Sequence, residues 1–117
     1  MKRTSELSVI VKTYDLALWL LPHTARFSRD HRFSLGNRIE EGILEILELL
    51  VEASYMRDKQ DLLNKANVRL GRLRYLIRLA KDMKQISMNQ YEFAVRGMHE
   101  IGAEIGGWAK STSRDGP

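Results

Sequence analysis

The chain has 117 residues, 44% hydrophobic and 29% charged, with no cysteine, two prolines and a net charge of +4. That length supports one domain with its own core, and the composition excludes a disulfide scaffold, a thiolate metal site and a proline-rich linker chain. The longest apolar runs, such as residues 16–21, are too short to span a bilayer, and Glu6, Lys12 and Asp15 interrupt any signal-like apolar region after Lys2 and Arg3.

Hydrophobic spacing is helical almost throughout and predicts four helices with no convincing strand. In the first, Leu7, Ile10, Val11, Tyr14, Leu18 and Leu21 recur at three- and four-residue steps, with Pro22 near the end. Residues 26–34 are polar and read as the longest internal loop. The second helix runs from about Ser34, a candidate N-cap, to about Tyr55. Leu35, Ile39, Ile43, Ile46, Leu50 and Ala53 share one face; Glu41, Glu45, Glu48 and Glu52 share another; Leu44, Leu47 and Val51 form a further apolar stripe. A bundle helix needs only one apolar face, so the extra stripe points to a second packing surface.

The third helix is predicted from about Lys59 to Met83, with Asp58 as candidate cap and Leu62, Ala66, Leu70, Leu73, Ile77 and Ala80 as its core face. Val68, Tyr75 and Leu79 face away from that core and offer a contact for another subunit. The fourth helix opens at Ser87 or Asn89 and ends near Lys110, with Tyr91, Val95, Met98, Gly102, Ile105 and Ala109 on one face. Gly97, Gly102, Gly106 and Gly107 each cost roughly 1 kcal/mol relative to alanine inside a helix. They imply close helix approach, or an early end at Gly106. Short loops between the last three helices make them antiparallel neighbours. The reading is an all-α, up-down antiparallel four-helix bundle over residues 1–110, with a fraying polar tail at 111–117.

Charge is uneven along this frame. Residues 59–84 hold eight of the nineteen basic residues and two acids, Asp61 and Asp82, so this segment carries +6 and the remainder is net acidic. A basic element in an otherwise balanced domain suggests a polyanion partner. Its bases form two groups flanking the core face: Lys65, Arg69 and Arg72 on one side, Arg74, Arg78 and Lys81 on the other. All six are candidate phosphate contacts. The alternative is a solvated face whose arginines pair with the glutamates of the second helix. One flank can face that acidic stripe while the other faces solvent, and the sequence does not choose between them.

Support for catalysis is thin. His23, His31 and His99 are the only histidines, none has a metal-ligand spacing, and there is no phosphate-cradling glycine loop. No metal or cofactor is expected. The most enzyme-like run is 26–31, where Arg26 and His31 match the loose arginine-four-residues-histidine pattern of the all-helical HEPN ribonucleases. There an arginine stabilises a phosphorane-like state while the histidine handles protons. That family places the pattern at a helix start, whereas here it falls in the predicted loop. Trp108 after Gly106 and Gly107 is either a base-stacking platform or, like Trp19, a core or interface residue. The five methionines read as core filler. The absence of cysteine fits a reducing cytoplasm.

Four stretches carry a family resemblance. Leu21-Pro22-His23 through Arg32-Phe33-Ser34-Leu35-Gly36-Asn37-Arg38-Ile39 resembles the loop and second-helix start of the Avd-like four-helix-bundle proteins, the accessory variability proteins of diversity-generating retroelements. Leu73-Arg74-Tyr75-Leu76-Ile77-Arg78-Leu79-Ala80 is similar to that family's third helix, and Ile86-Ser87-Met88-Asn89-Gln90-Tyr91 to the start of its fourth. Ile101-Gly102 with Ile105-Gly106-Gly107-Trp108 resembles its closing glycine-tryptophan signature. Together they cover about residues 14–110. The resemblance implies a homopentameric barrel of bundles that is basic, binds nucleic acid and associates with the retroelement's reverse transcriptase. That complex copies template RNA into cDNA with adenine-directed errors, and the cDNA diversifies a target gene. The resemblance implies no catalytic residue in the accessory chain. RNA and cDNA would be held through backbone charge with little sequence preference. A sister group, encoded in intervening sequences of ribosomal RNA genes, shares the bundle but has an asparagine-alanine-glutamate-glycine run in its second helix. Ile39-Glu40-Glu41-Gly42 does not match it.

Overall fold

The structure, a computed structural model, describes residues 2–114, with side chains from residue 8 to 112. Helix α1 spans Lys2–Thr24, α2 is a single turn at Arg29–His31, α3 spans Asn37–Tyr55, α4 spans Gln60–Asp82 and α5 spans Met88–Arg114. A π-helical turn, Arg32–Gly36, joins α2 to α3. Among the described residues there is no strand.

The four long helices form an up-down bundle in which α1 packs on α3 and α5, and α4 packs on the same two. Cross-helix contacts fix each pair as antiparallel. The Thr24 hydroxyl at the end of α1 donates to Glu40 in the first turn of α3 at 2.6 Å. Lys12 of α1 lies 2.7 Å from Glu104 near the end of α5. Arg69 of α4 lies 3.0 Å from Glu45 of α3. Helices α1 and α4 therefore occupy opposite corners.

Helices α3 and α4 supply about half of the core. Leu35, Ile39, Ile43, Ile46, Leu50 and Ala53 are buried, as their spacing predicts, and so are Ala66, Leu70, Leu73, Ile77 and Ala80. Leu63, not Leu62, opens the α4 face; steps of three and four from Leu63 keep the row straight, whereas repeated steps of four from Leu62 drift around the helix. The expected face of α1 is mostly wrong: Ile10 of that face packs half-buried against the core, and Leu7 lies outside the residues whose side chains are described. Val9, Leu16, Ala17 and Leu20 are buried, while Val11, Tyr14 and Leu18 are each more than half exposed. Thr13 and Thr24 complete the buried row because their hydroxyls are satisfied: Thr13 donates to the Val9 carbonyl at 2.8 Å, and Thr24, whose single proton goes to Glu40, lies 3.0 Å from the Leu21 carbonyl. The core face of α5 is rotated too: Ala94, Met98, Ile101, Ile105 and Trp108 are buried, Tyr91 is half-buried and Val95 exposed.

The helix ends also differ from expectation. The loop expected at 26–34 is reduced to a tight turn, because the chain is helical again from Arg29. Ser34 is not a cap; its hydroxyl lies 3.4 Å from the His31 carbonyl inside the helical run. Asp58 contacts the Gln60 amide loosely, at 3.4 Å. Lys59 acts more strongly: its ammonium donates to the carbonyls of Ala53, at 2.9 Å, and Met56, placing a cation on the C-terminal end of α3. Ser87 does cap α5. Its hydroxyl accepts the Gln90 amide at 3.1 Å, and the Gln90 side chain accepts the Ser87 amide at 2.8 Å, a reciprocal capping box.

Helix α5 does not stop at Gly106 or Lys110. It continues to Arg114, so the start of the expected tail is helical and residues 115–117 lie outside the described part. The Gln60 amide holds that last stretch, donating to the Ala109 carbonyl and the Thr112 hydroxyl at 2.7 Å each. Gly102 permits close approach: a Cβ there would lie 2.8 Å from Arg74 Nη2 and 3.3 Å from Leu70 Cδ2. Gly71, Gly106 and Gly107 instead face open space.

Trp108 is 3% exposed, and its indole N–H is buried without a partner. Its contribution is therefore apolar packing, not a hydrogen bond. Trp108→Ala should cost about 3–5 kcal/mol in urea denaturation, and Trp108→Phe far less; an equal loss for both would contradict that assignment.

Candidate nucleic-acid interface

A corner helix buries one face and leaves two shoulders, and α4 carries bases on both. The Lys65, Arg69 and Arg72 shoulder borders α3, which has five glutamates and one base, Arg38. Arg69 is half-buried with its Nε 3.0 Å from Glu45 Oε2, an ion pair in which the N–H is not aligned as a hydrogen bond. Lys65 and Arg72 are exposed. A groove of about 400 Å³ on this side is lined by Asp61, Asn64, Lys65, Val68 and Arg69.

The Arg74, Arg78 and Lys81 shoulder borders α5. Arg74 Nη2 donates to the Met98 carbonyl at 3.4 Å, and Arg78 is exposed. Lys81 lies 3.3 Å from Asp82 and 4.5 Å over the Tyr91 ring. Helix α5 does not neutralise this shoulder as α3 neutralises the other. Glu100 and Glu104 lie on its far side, where Lys12 of α1 pairs with them at 3.2 and 2.7 Å and the Ser8 hydroxyl donates to Glu104 at 3.3 Å. Hydrogen bonding to Glu104, then to Glu100, raises the Lys12 pKa above its ordinary 10.5. A raised folded-state pKa means that the contact stabilises the fold fully below 10.5 and is lost only as pH climbs through the raised value. At neutral pH both glutamates stay engaged. The α4–α5 groove, about 370 Å³, is lined by Gly71, Arg74, Tyr75, Arg78 and Tyr91, with no acid among them.

A second basic cluster was not singled out from the sequence. Arg26, Arg29, Arg32 and Arg38 are exposed around the turn and α2, with one acid, Asp30, in residues 26–38. Phe33 is exposed beside them, with the Arg32 guanidinium 4.5 Å over its ring. The Ser28 amide donates to the Gln85 side chain at 2.8 Å, which ties this end to Lys84 just beyond α4. The signal was present, since 26, 29 and 32 follow a helical step, but reading the stretch as a loop hid it. Arg26 sits exposed in the turn, and His31, half-buried, closes α2. Neither tryptophan lies on a basic groove. Trp108 is in the core, and Trp19 packs against His23 and Phe93 with ring centroids 4.1 and 4.7 Å away.

Among the described residues no group of three or more His, Asp or Glu could hold a metal ion, and no helix is long and apolar enough to cross a membrane. The sequence model of a family described as bAvd-like matches residues 8–112. The chain belongs to the bAvd-like family. Comparison with curated proteins and with solved structures gave no match. The bAvd-like match takes in all four long helices and both basic clusters. Membership suggests an accessory protein of a diversity-generating retroelement, the class to which the sequence motifs pointed.

The two shoulders should behave differently in a double-mutant cycle. Glu45→Ala with Arg69→Ala should show a coupling of about 0.2–1 kcal/mol in denaturant titration. Glu45→Ala with Arg74→Ala should show none; coupling in the second cycle would contradict the division of charge.

Proposed function

We propose that this bAvd-like chain is a non-catalytic, nucleic-acid-binding accessory protein that associates in the cytoplasm with a diversity-generating-retroelement reverse transcriptase and supports mutagenic cDNA synthesis from template RNA. The observation that carries this reading is the acid-free lining of the α4–α5 groove, with Arg74 and Arg78 in it and Lys81 at its edge. Each phosphate met there releases condensed counterions, which favours binding without reading sequence. Lys84 and the arginines of 26–38 extend the positive surface beyond the end of α4. Arg26 and His31 belong to that surface as polyanion contacts, not as a nuclease pair.

Copies of the chain are proposed to associate head to tail and close as the homopentamer that the resemblance implies. Lys12 and Trp19 of α1 face α5, which leaves Val11, Tyr14 and Leu18 on the side towards α3. Glu45 of α3 faces α4, which leaves Leu44, Leu47 and Val51 on the side towards α1. These rows make one apolar face, fringed by exposed Asp15, Glu41, Glu48 and Glu52. Exposed Val68 of α4, between Lys65 and Arg72, offers an apolar spot with the opposite fringe. Two different complementary patches make a heterologous contact, which gives a ring where the rotation between copies closes. This arrangement leaves Arg74 and Arg78 free.

Replacing Arg74, Arg78 and Lys81 together by glutamate should abolish RNA binding with helicity unchanged by circular dichroism. In the wild type, log affinity should fall with log salt at a slope of about −0.7 per neutralised phosphate of a single strand. Unchanged RNA affinity in the triple variant would sink the reading. Light scattering should give a pentamer for the wild type and a monomer for Leu18→Glu with Val51→Glu; a wild-type monomer would dismiss the proposed assembly.

A further inference from the structure

We propose that the α4–α5 groove is a nucleotide subsite selective for single strands, in which a base stacks on Tyr75 while the adjoining phosphates meet Arg74 and Arg78. The inference rests on the nucleic-acid-binding reading and adds a stacking contact to it. Gly71, Arg74, Tyr75 and Arg78 stand at i, i+3, i+4 and i+7, so the four form one diamond on the surface of α4. Tyr75 is 73% exposed, which leaves its ring face unused by the fold. Tyr91 forms the opposite wall and is itself held beneath the Lys81 ammonium at 4.5 Å.

Gly71 is the second observation. A Cβ there would meet nothing within 4 Å, so helix packing gives no reason for a glycine in the middle of α4. Its missing side chain opens a notch directly beside Tyr75 and the two arginines. The groove, about 370 Å³, has the size of a small ligand pocket. Bases in a duplex are already stacked and paired, so only an unpaired base can lie on Tyr75. A surface acting by charge alone needs neither the exposed ring nor the notch.

The test uses fluorescence anisotropy with one labelled RNA of mixed sequence, single-stranded and as its duplex. Tyr75→Ala should weaken single-strand binding about fivefold to a hundredfold, as loss of one stacked base predicts, while Tyr75→Phe keeps it. Gly71→Leu, which fills the notch, should weaken it likewise. Duplex affinity and mass by light scattering should stay unchanged in all three; the melting temperature should hold for the Tyr75 variants and rise for Gly71→Leu, because a glycine inside a helix is destabilising. Equal losses for single strand and duplex would overturn the inference. If Tyr75→Ala binds normally while Arg74→Glu with Arg78→Glu does not, the subsite falls and the function stands. If neither variant loses affinity, both readings fall. A change in mass without a change in RNA affinity would make the groove a contact between copies and overturn the subsite.

Discussion

The antiparallel packing of α4 between α3 and α5 decides where the positive charge of this protein goes. The apolar row Leu63, Ala66, Leu70, Leu73, Ile77 and Ala80 sets the orientation of α4. Once that row is buried, its two basic shoulders must enter two different grooves. One meets the glutamates of α3, and Arg69 is partly spent on Glu45. The other meets α5, whose Glu100 and Glu104 are engaged elsewhere. The α4–α5 groove stays free of these acids because Glu100 and Glu104 lie on the α1 side of α5, where Lys12 pairs with both and the Ser8 hydroxyl donates to Glu104.

The same geometry sets the larger apolar surplus apart from Arg74 and Arg78, although Val68, Tyr75 and Leu79 stay exposed on α4 itself. Helices α1 and α3 each carry more apolar positions than the core uses, and the surplus falls on the side away from Arg74 and Arg78. A large exposed apolar patch calls for a partner, and the acidic fringe around this one repels the polyanion that the basic groove is proposed to bind. One surface is thus suited to joining copies and the other to meeting nucleic acid, without competition between them. The bundle is 51 Å long and about 20 Å across, so both surfaces run along its sides, where the area lies.

Much of the fold could be read from the chain because α3 and α4 each have a long, unbroken apolar row at three- and four-residue steps. Helix α1 defeated the same reasoning. It is apolar on two sides, and its buried row includes Thr13 and Thr24, whose hydroxyls are satisfied by the Val9 carbonyl of the same helix and by Glu40 of α3. The stretch 26–34 looked like a loop because it is polar, yet from Arg29 onward it is largely exposed helix, and polarity does not distinguish the two. The end of α5 was placed too early because the anchor that extends it, Gln60, comes from the far side of the chain. Both basic shoulders of α4 were visible as residues. Which one stays free was not, since that depends on where Glu45, Glu100 and Glu104 point, and side-chain direction is settled only by packing.

The central claim, that the Arg74 and Arg78 shoulder is the one that meets nucleic acid, can be tested in the unmodified protein. Arginine-selective chemical footprinting should be run with and without saturating single-stranded RNA and read by peptide mass spectrometry. The account predicts protection of Arg74 and Arg78, with Arg72 left as reactive as in the free protein. Protection of Arg72 with Arg74 and Arg78 still reactive would contradict it.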